Sequence, residues 1–304
     1  MTSPVRPDVE PSGIDSGDHT FEIQHDGRTR RYYVHVPEKL AAASPSAMLA
    51  LHGGGGSARQ FKDEISLDAV ADREGFIAVY PDGVGPGTRL LHTWNSGHNC
   101  CGQAQRSNVD DVGFVLAVLD DLATKISYDE ERVSVIGHSN GAMMAYRLAA
   151  EASHRFSAVI PVAGAMALDD FAPGNPVAVL HIHSIDDPRA LYEGGEGPPF
   201  PGTNSTVVHE PALEAIRAWA DVNGCSGELA ETRVIHESEI QKVAVLDFDA
   251  CGGAIVQHVI ITGAGHGWPG VSYNRFRERT TGPSITSVDA VELAWAFARD
   301  VADG

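Results

Sequence analysis

Residues 132–136, Arg-Val-Ser-Val-Ile, run directly into Gly137-His138-Ser139-Asn140-Gly141 and then into Ala-Met-Met-Ala-Tyr-Arg-Leu-Ala-Ala at 142–150. The first stretch is β-branched and apolar, as a buried strand requires, and residues 140–150 carry apolar side chains at helical spacing. The five residues between leave room only for a sharp turn. A strand–turn–helix context is what a nucleophile elbow needs, with glycine on both flanks because side chains near the serine have to be small. Such a turn lifts the Ser139 hydroxyl clear of the sheet and sets a helix N-terminus beneath it. Ser139 is the candidate nucleophile.

Outward from this turn, strands and helices alternate. Residues 21–24 and 31–37 flank Asp26-Gly27, a hairpin signal. Short apolar runs at 47–51, 76–80, 158–162, 177–182 and 256–261 read as strands buried on both faces. Helices are expected at 57–73, from Asp110 or Asp111 (the capping aspartate) to 126, at 211–222, and at 287–301 with Thr286 or Ser287 as cap. The segment 81–108 is long, glycine-rich and aromatic, without a period. The alternation predicts one α/β domain over 21–304, with a mostly parallel central sheet and helices on both faces. Residues 1–20 read as a loose N-terminal segment, and 194–202 as a surface loop within the domain.

A serine needs a base to become a nucleophile, and the base needs an orienting carboxylate. In chain order after Ser139, the ends of two predicted strands supply them: Asp186 and Asp187 after 177–182, and His266 after 256–261. Glycines on both sides of His266 suit an exposed loop that places its imidazole over Ser139. The oxyanion of a tetrahedral intermediate needs backbone N–H donors. Asn140, next to the nucleophile, offers one, and His52-Gly53-Gly54-Gly55-Gly56, just after the strand 47–51, offers another near Gly54. Trp94, Asn95 and His98 in the irregular segment, and Trp268 beside His266, are candidate substrate-cleft residues.

Several stretches together resemble the polyhydroxybutyrate depolymerase-like esterases, a family that includes feruloyl and acetyl-xylan esterases. They are LHGGGGSA at 51–58, WN at 94–95, NCCG at 99–102, DDVGF at 110–114, GHSNGAMMAYRLA at 137–149, HIHSIDDPRALYEGG at 181–195, W…NGC at 219–225 and GHGWPG at 265–270. The resemblance covers about residues 20 to 300. It implies an α/β-hydrolase fold and cleavage of carboxylic esters by a Ser-Asp-His triad, with no metal and no cofactor. The family usually has H-G-T-x-D at the acid; laid on His183 this selects Asp187, although Ser184-Ile185 replace the usual Gly-Thr. It also implies a Cys225–Cys251 disulfide, worth roughly 3 kcal/mol for a loop of that size in the loop-entropy account. Cys100 and Cys101 are open to a free, vicinal or other pairing.

Composition narrows the partners. The 304 residues include 41 acidic and 22 basic side chains, for a net charge of −19. That field repels phosphate backbones and excludes nucleic acid as an expected partner. No apolar run is long enough to span a membrane. Residues 1–20 lack the basic and apolar regions of a signal peptide, which reads as an intracellular chain, a trimmed one or export by another route. The family, often secreted, and its implied disulfide point to the outside of the cell. His181-x-His183 puts two imidazoles on one strand face, a buried hydrogen-bonded pair rather than a metal site. The chain ends just after its last expected helix, without a polymer-binding module, which favours small or oligomeric esters as substrates. Those include 3-hydroxybutyrate oligomers and feruloyl or acetyl esters. The rival readings are a peptidase or amidase on the same fold, and a non-catalytic binding protein on a hydrolase scaffold.

Overall fold

The computed structural model describes residues 11–86, 91–98, 100–200 and 204–303. Residues 1–10 of the expected N-terminal segment, Asn99 of the NCCG stretch and residues 201–202 of the expected surface loop lie outside them.

The Asp26-Gly27 hairpin forms as expected. Both residues have positive φ, 48° and 69°, the backbone of a tight turn whose twist matches its strands. The hairpin strands β1 (Gly17–His25) and β2 (Arg28–Val36) pair antiparallel. β1 thus starts at Gly17, so residues 17–20 are strand and not part of a loose segment. Next come β3 (Ala47–Leu51), α1 (Ala58–Glu64), α2 (Leu67–Glu74) and β4 (Ile77–Pro81). The single helix expected over 57–73 is two, because Ile65 adopts extended backbone (φ −102°, ψ 157°) and inserts a corner before Leu67. The irregular segment follows, containing the short α3 (Gly102–Arg106), and then α4 (Asp111–Ala123), β5 (Val133–His138), α5 (Asn140–Glu151), β6 (Ala158–Val162) and β7 (Ala178–Ser184).

After β7 come a small ribbon of β8 (Gly195–Glu196) and β9 (Val208–His209), α6 (Ala212–Val222), β10 (Cys225–Ser226), β11 (Ala230–Glu237), β12 (Lys242–Asp247), β13 (Ala250–Cys251), β14 (Val256–Thr262), α7 (Arg275–Thr281) and α8 (Ala290–Asp303). The ten-stranded sheet has the order β1-β2-β4-β3-β5-β6-β7-β14-β12-β11. Its six central strands, β4 through β14, are parallel, and antiparallel pairs close both edges. α8 begins at Ala290, later than expected, because Asp289 takes the capping position: its carboxylate accepts the Val291 N–H at 2.8 Å.

The apolar runs are buried on both faces, which is why they read as continuous. Leu49, Leu51, Val79 and Val135 join α4, α5 and α6 in one core layer through Phe114, Leu148 and Trp219. Met48, Ala50, Ala78 and Ile136 join α1, α2 and α8 in the other through Phe61, Val70 and Phe297. Asp110 caps α4, accepting the Gly113 N–H at 2.9 Å. Asp111, the alternative cap, instead lies fully buried 2.7 Å from the Arg30 guanidinium, and it also accepts the Asn95 N–H at 2.8 Å. Cys225 pairs with Cys251 across β10 and β13, and Cys100 pairs with Cys101.

Breaking the buried Arg30–Asp111 pair from one side strands a carboxylate in the core. Arg30→Met is expected to destabilise the fold by about 3–5 kcal/mol, read from urea denaturation; a loss under about 1 kcal/mol, the scale of a surface pair, would refute this account.

The buried histidines set a pH dependence. Burial pushes His258 and His209 down to about 4 and His138 to about 3. Unfolded, each takes a proton near pH 6.5, so their contribution is whole above that pH and drains away as pH falls towards 4. His35 opposes in part: burial lowers its pKa, but bonds to Asp18 and Asp72 raise it overall. The net expectation is a lower midpoint of thermal unfolding at pH 5 than at pH 7.5, and an equal or higher midpoint at pH 5 would contradict it.

Candidate active site

Ser139 occupies the junction of β5 and α5 with φ 55° and ψ −117°, a conformation non-glycine residues rarely take. The neighbouring glycines answer to close packing. A Cβ on Gly137 would overlap the Gly141 carbonyl oxygen, and one on Gly141 would overlap that of Leu51. The Ser139 N–H donates to Val162 O at 2.8 Å, tying the turn to β6.

Two loops at the C-terminal edge of the sheet bring the other candidates to the serine. The Ser139 hydroxyl donates to His266 Nε2 at 2.9 Å, and His266 Nδ1–H donates to Asp187 Oδ2 at 2.7 Å. Asp187 Oδ1 accepts the N–H groups of Arg189 and Ala190 at 2.7 and 2.9 Å. Burial pushes the Asp187 carboxyl up, but the facing His266 and the hydrogen bonds from His183 and His266 outweigh it and hold it well below the usual carboxylate range. Asp186 turns away and accepts the Gly263 N–H at 2.7 Å. The geometry thus separates the two adjacent aspartates.

The glycines beside His266 have a different role from the one expected. A Cβ on Gly265 would strike Thr281 O, and one on Gly267 would strike the Tyr273 ring. The His266 N–H donates to Thr281 O at 2.5 Å, and His138 Nε2–H donates to the His266 carbonyl at 2.9 Å. The loop is clamped rather than free, and the His266 side chain is only 12% exposed.

Behind Asp187 lies a hydrogen-bonded chain of imidazoles. A carbonyl can only accept, so His183 Nε2 carries the proton it shares with Ala190 O at 2.9 Å. The same nitrogen stands 3.4 Å from Asp187 Oδ2. His183 Nδ1 stands 3.1 Å from His181 Nε2, and His181 Nδ1 stands 2.8 Å from the Tyr146 hydroxyl. Burial holds His181 well below its ordinary pKa. The paired imidazoles expected from the His-x-His spacing are present, and their link to Asp187 is visible only in three dimensions.

The glycine loop after β3 borders Ser139. A Cβ on Gly54 would stand 3.4 Å from that of Asn140, and among the described residues no hydrogen bond uses the N–H of either. The Asn140 side chain holds the irregular segment: its Oδ1 accepts the Trp94 N–H at 2.7 Å, and its Nδ2 donates to Trp94 O at 3.1 Å and Ser96 Oγ at 2.8 Å. The Trp94 indole N–H in turn donates to His52 O at 2.9 Å.

Among the described residues, the four expected cleft residues lie away from the space at Ser139. Trp94 is fully buried, Asn95 bonds Val109 O at 3.0 Å, and Trp268 packs edge-on against Phe61, with ring centroids 5.0 Å apart. His98 opens to a separate surface hollow, 3.3 Å from Glu210. A segment without regular elements has to build its own core from its aromatics, which a sequence pattern does not distinguish from a binding wall. The cleft of about 280 Å³ at Ser139 is bordered instead by Gly53–Gly56, Gln60, Glu64, Arg189, Arg277, Thr280 and Thr281.

His52, Asp82 and His92 bring potential metal-binding atoms within 4.8 Å of one another, but these atoms are engaged. His52 Nε2 accepts the Gly83 N–H at 3.0 Å, and Asp82 Oδ1 accepts from Ala58 N–H and His92 Nδ1–H at 2.9 and 2.8 Å. Around Asp18, His35 and Asp68, the Lys62 ammonium already supplies the cation.

Residues 31–232 match the family described as Esterase PHB depolymerase. Feruloyl esterase B of Neurospora crassa is 31% identical over 212 residues, covering 64% of this chain and 70% of that protein. Feruloyl esterase B of Thermothelomyces thermophilus is 30% identical over 226 residues, covering 68% and 73%. The solved acetyl xylan esterase from Aspergillus awamori superposes with a TM-score of 0.52 at 18% identity, over 82% of this chain and 94% of that one, a likeness of fold. The chain belongs to the Esterase PHB depolymerase family and is a carboxylic ester hydrolase of the α/β-hydrolase fold.

Proposed function

We propose that the protein hydrolyses small or oligomeric esters through an acyl-serine intermediate, with Ser139, His266 and Asp187 as the triad. The carrying observation is the unbroken relay of 2.9 and 2.7 Å hydrogen bonds that ends on the strained elbow. His266 Nε2 takes the Ser139 proton as Oγ bonds to the ester carbonyl carbon. The carbonyl oxygen gains the negative charge, and the N–H groups of Gly54 and Asn140 are the donors proposed to receive it. His266 then gives its proton to the alcohol oxygen as the C–O bond breaks, and the alcohol leaves. Water, deprotonated by the same imidazole, attacks the acyl-serine; the acid leaves and Ser139 regains its proton. Asp187 stays ionised throughout, because its carboxyl is held far below working pH. The two disulfides suit an oxidising compartment and support a site of action outside the cell.

Ser139→Ala is expected to cut kcat on p-nitrophenyl acetate by about 10⁵-fold or more and to abolish labelling by a fluorophosphonate probe. Full activity in that variant would overturn the triad, and failure of the folded wild type to label would favour a non-catalytic scaffold. Matched ester and anilide substrates separate an esterase from an amidase, and the ester is expected to be the faster.

His183 is proposed to position Asp187 through the proton at Nε2. Without that donor Asp187 becomes more basic and holds the imidazolium of His266 more firmly. His183→Ala is therefore expected to lower kcat about tenfold with little change in KM, and to move the acid limb of kcat/KM to higher pH. A lowered activity with an unmoved acid limb would mean His183 only supports the fold.

A further inference from the structure

Two spaces meet at Ser139 and His266, and they differ in kind. One is the open cleft, polar at its rim. The other is a chamber of about 40 Å³ on the Asn140 side, walled by Cys100, Cys101, Met143, Ala190, Val207 and Phe200, with Arg189 and His209 also in its lining. The first five of these wall residues are buried and apolar, between 2% and 6% exposed. At roughly 10–15 Å³ for each water-sized group, the chamber has room for about three such groups.

We propose that this chamber holds the acyl group, and that it limits the enzyme to short unbranched acyl esters of two to about four carbons, with Met143 and Val207 setting the limit. The inference rests on the acyl-serine reading above and adds the substrate's acyl class to it. The assignment of the two spaces follows from the order of events. Once Ser139 is acylated, the alcohol has to leave and water has to arrive at the position it vacated, within reach of the same His266 Nε2. That exchange needs the open side. The part that stays bound through both half-reactions is the acyl chain, and the smaller, mainly apolar chamber is the space that need not take part in that exchange. Three carbon atoms beyond the carbonyl fill the available volume. A longer chain, or an aromatic acyl group with a substituted ring, meets the Cys100–Cys101 pair and Met143 of α5, which pack with Val207 in one buried cluster.

The polar rim of the cleft fits the same division. Gln60, Glu64, Arg277 and Thr280 offer donors and acceptors to an alcohol rich in hydroxyl groups, beside Phe61 and Phe200 in the same lining.

The test is kcat/KM on p-nitrophenyl acetate, butyrate and octanoate and on methyl ferulate, for wild type, Ser139→Ala, Met143→Ala and Val207→Ala. The first three share a leaving group, so only the acyl chain varies. Wild type is expected to fall about tenfold or more from butyrate to octanoate and to be slower still on ferulate. Met143→Ala is expected to raise octanoate relative to acetate about fivefold or more. Val207→Ala, a smaller cut in the loop outside the main core layers, is expected to act in the same direction and guards against a fold defect at Met143. Ser139-dependent hydrolysis that is as fast on octanoate or ferulate as on butyrate would overturn the acyl assignment alone. So would a chain-length profile that neither variant shifts. Hydrolysis that persists in Ser139→Ala would bring down the acyl-serine reading and this inference with it.

Discussion

The rest of the site hangs on one unfavourable backbone conformation. A serine at φ 55° and ψ −117° costs of order 1–3 kcal/mol, and it persists because everything around it excludes alternatives. β5 is buried on both faces and fixes where the turn begins, and α5 is packed into the core and fixes where it ends. Gly137 and Gly141 allow the carbonyls of Gly141 and Leu51 to close in on either side. The Ser139 N–H is bound to β6, so the residue cannot relax by rotating the peptide before it. The strain is repaid by two core layers that have no other way to pack.

From that fixed serine the other parts are positioned by side chains several of which, such as Trp94, Tyr146, His181 and His183, lie outside the cleft lining. Asn140 spends its amide on Trp94 and Ser96, and Trp94 spends its indole on the carbonyl of His52, the residue before the glycine loop. The two loops proposed to receive the oxyanion are thus joined through one buried tryptophan. On the other side, His138 holds the backbone of His266, and Tyr146, His181 and His183 line up behind Asp187. The one partner in that second chain that can only accept is the Ala190 carbonyl, and it fixes the proton on His183 Nε2. Buried imidazoles kept neutral cost stability in acid.

The architecture was legible because its signals are local. A run such as Ala47–Leu51 admits few readings once turn residues flank it, and Asp26-Gly27 specifies its own hairpin. The serine turn was legible for the same reason, since strand, glycines and helix are contiguous. What escaped the sequence depends on distant partners. Ile65 breaks a helical pattern that propensity alone would continue, and Asp289 outcompetes Thr286 and Ser287 as a cap. β11 was not foreseen, because an edge strand such as Ala230–Glu237, exposed along most of its length, carries no apolar alternation. The aromatic loop residues were assigned to the cleft although they are its scaffold.

The same limit explains the glycines around His266. In sequence, glycine on both sides of a histidine reads as freedom. In the fold it reads as proximity, because Thr281 and the Tyr273 ring occupy the space where side chains would be. In the proposed triad, a base that accepts a proton from Ser139 and returns it to a leaving alcohol gains from being held still, since each transfer depends on a separation near 3 Å. Tyr273 is itself anchored, its hydroxyl donating to Glu64 at 2.5 Å while Arg277 lies 2.8 Å from the same carboxylate oxygen. Glu64 and Arg277 border the cleft, so a pair that lines the cleft also braces the loop that carries His266.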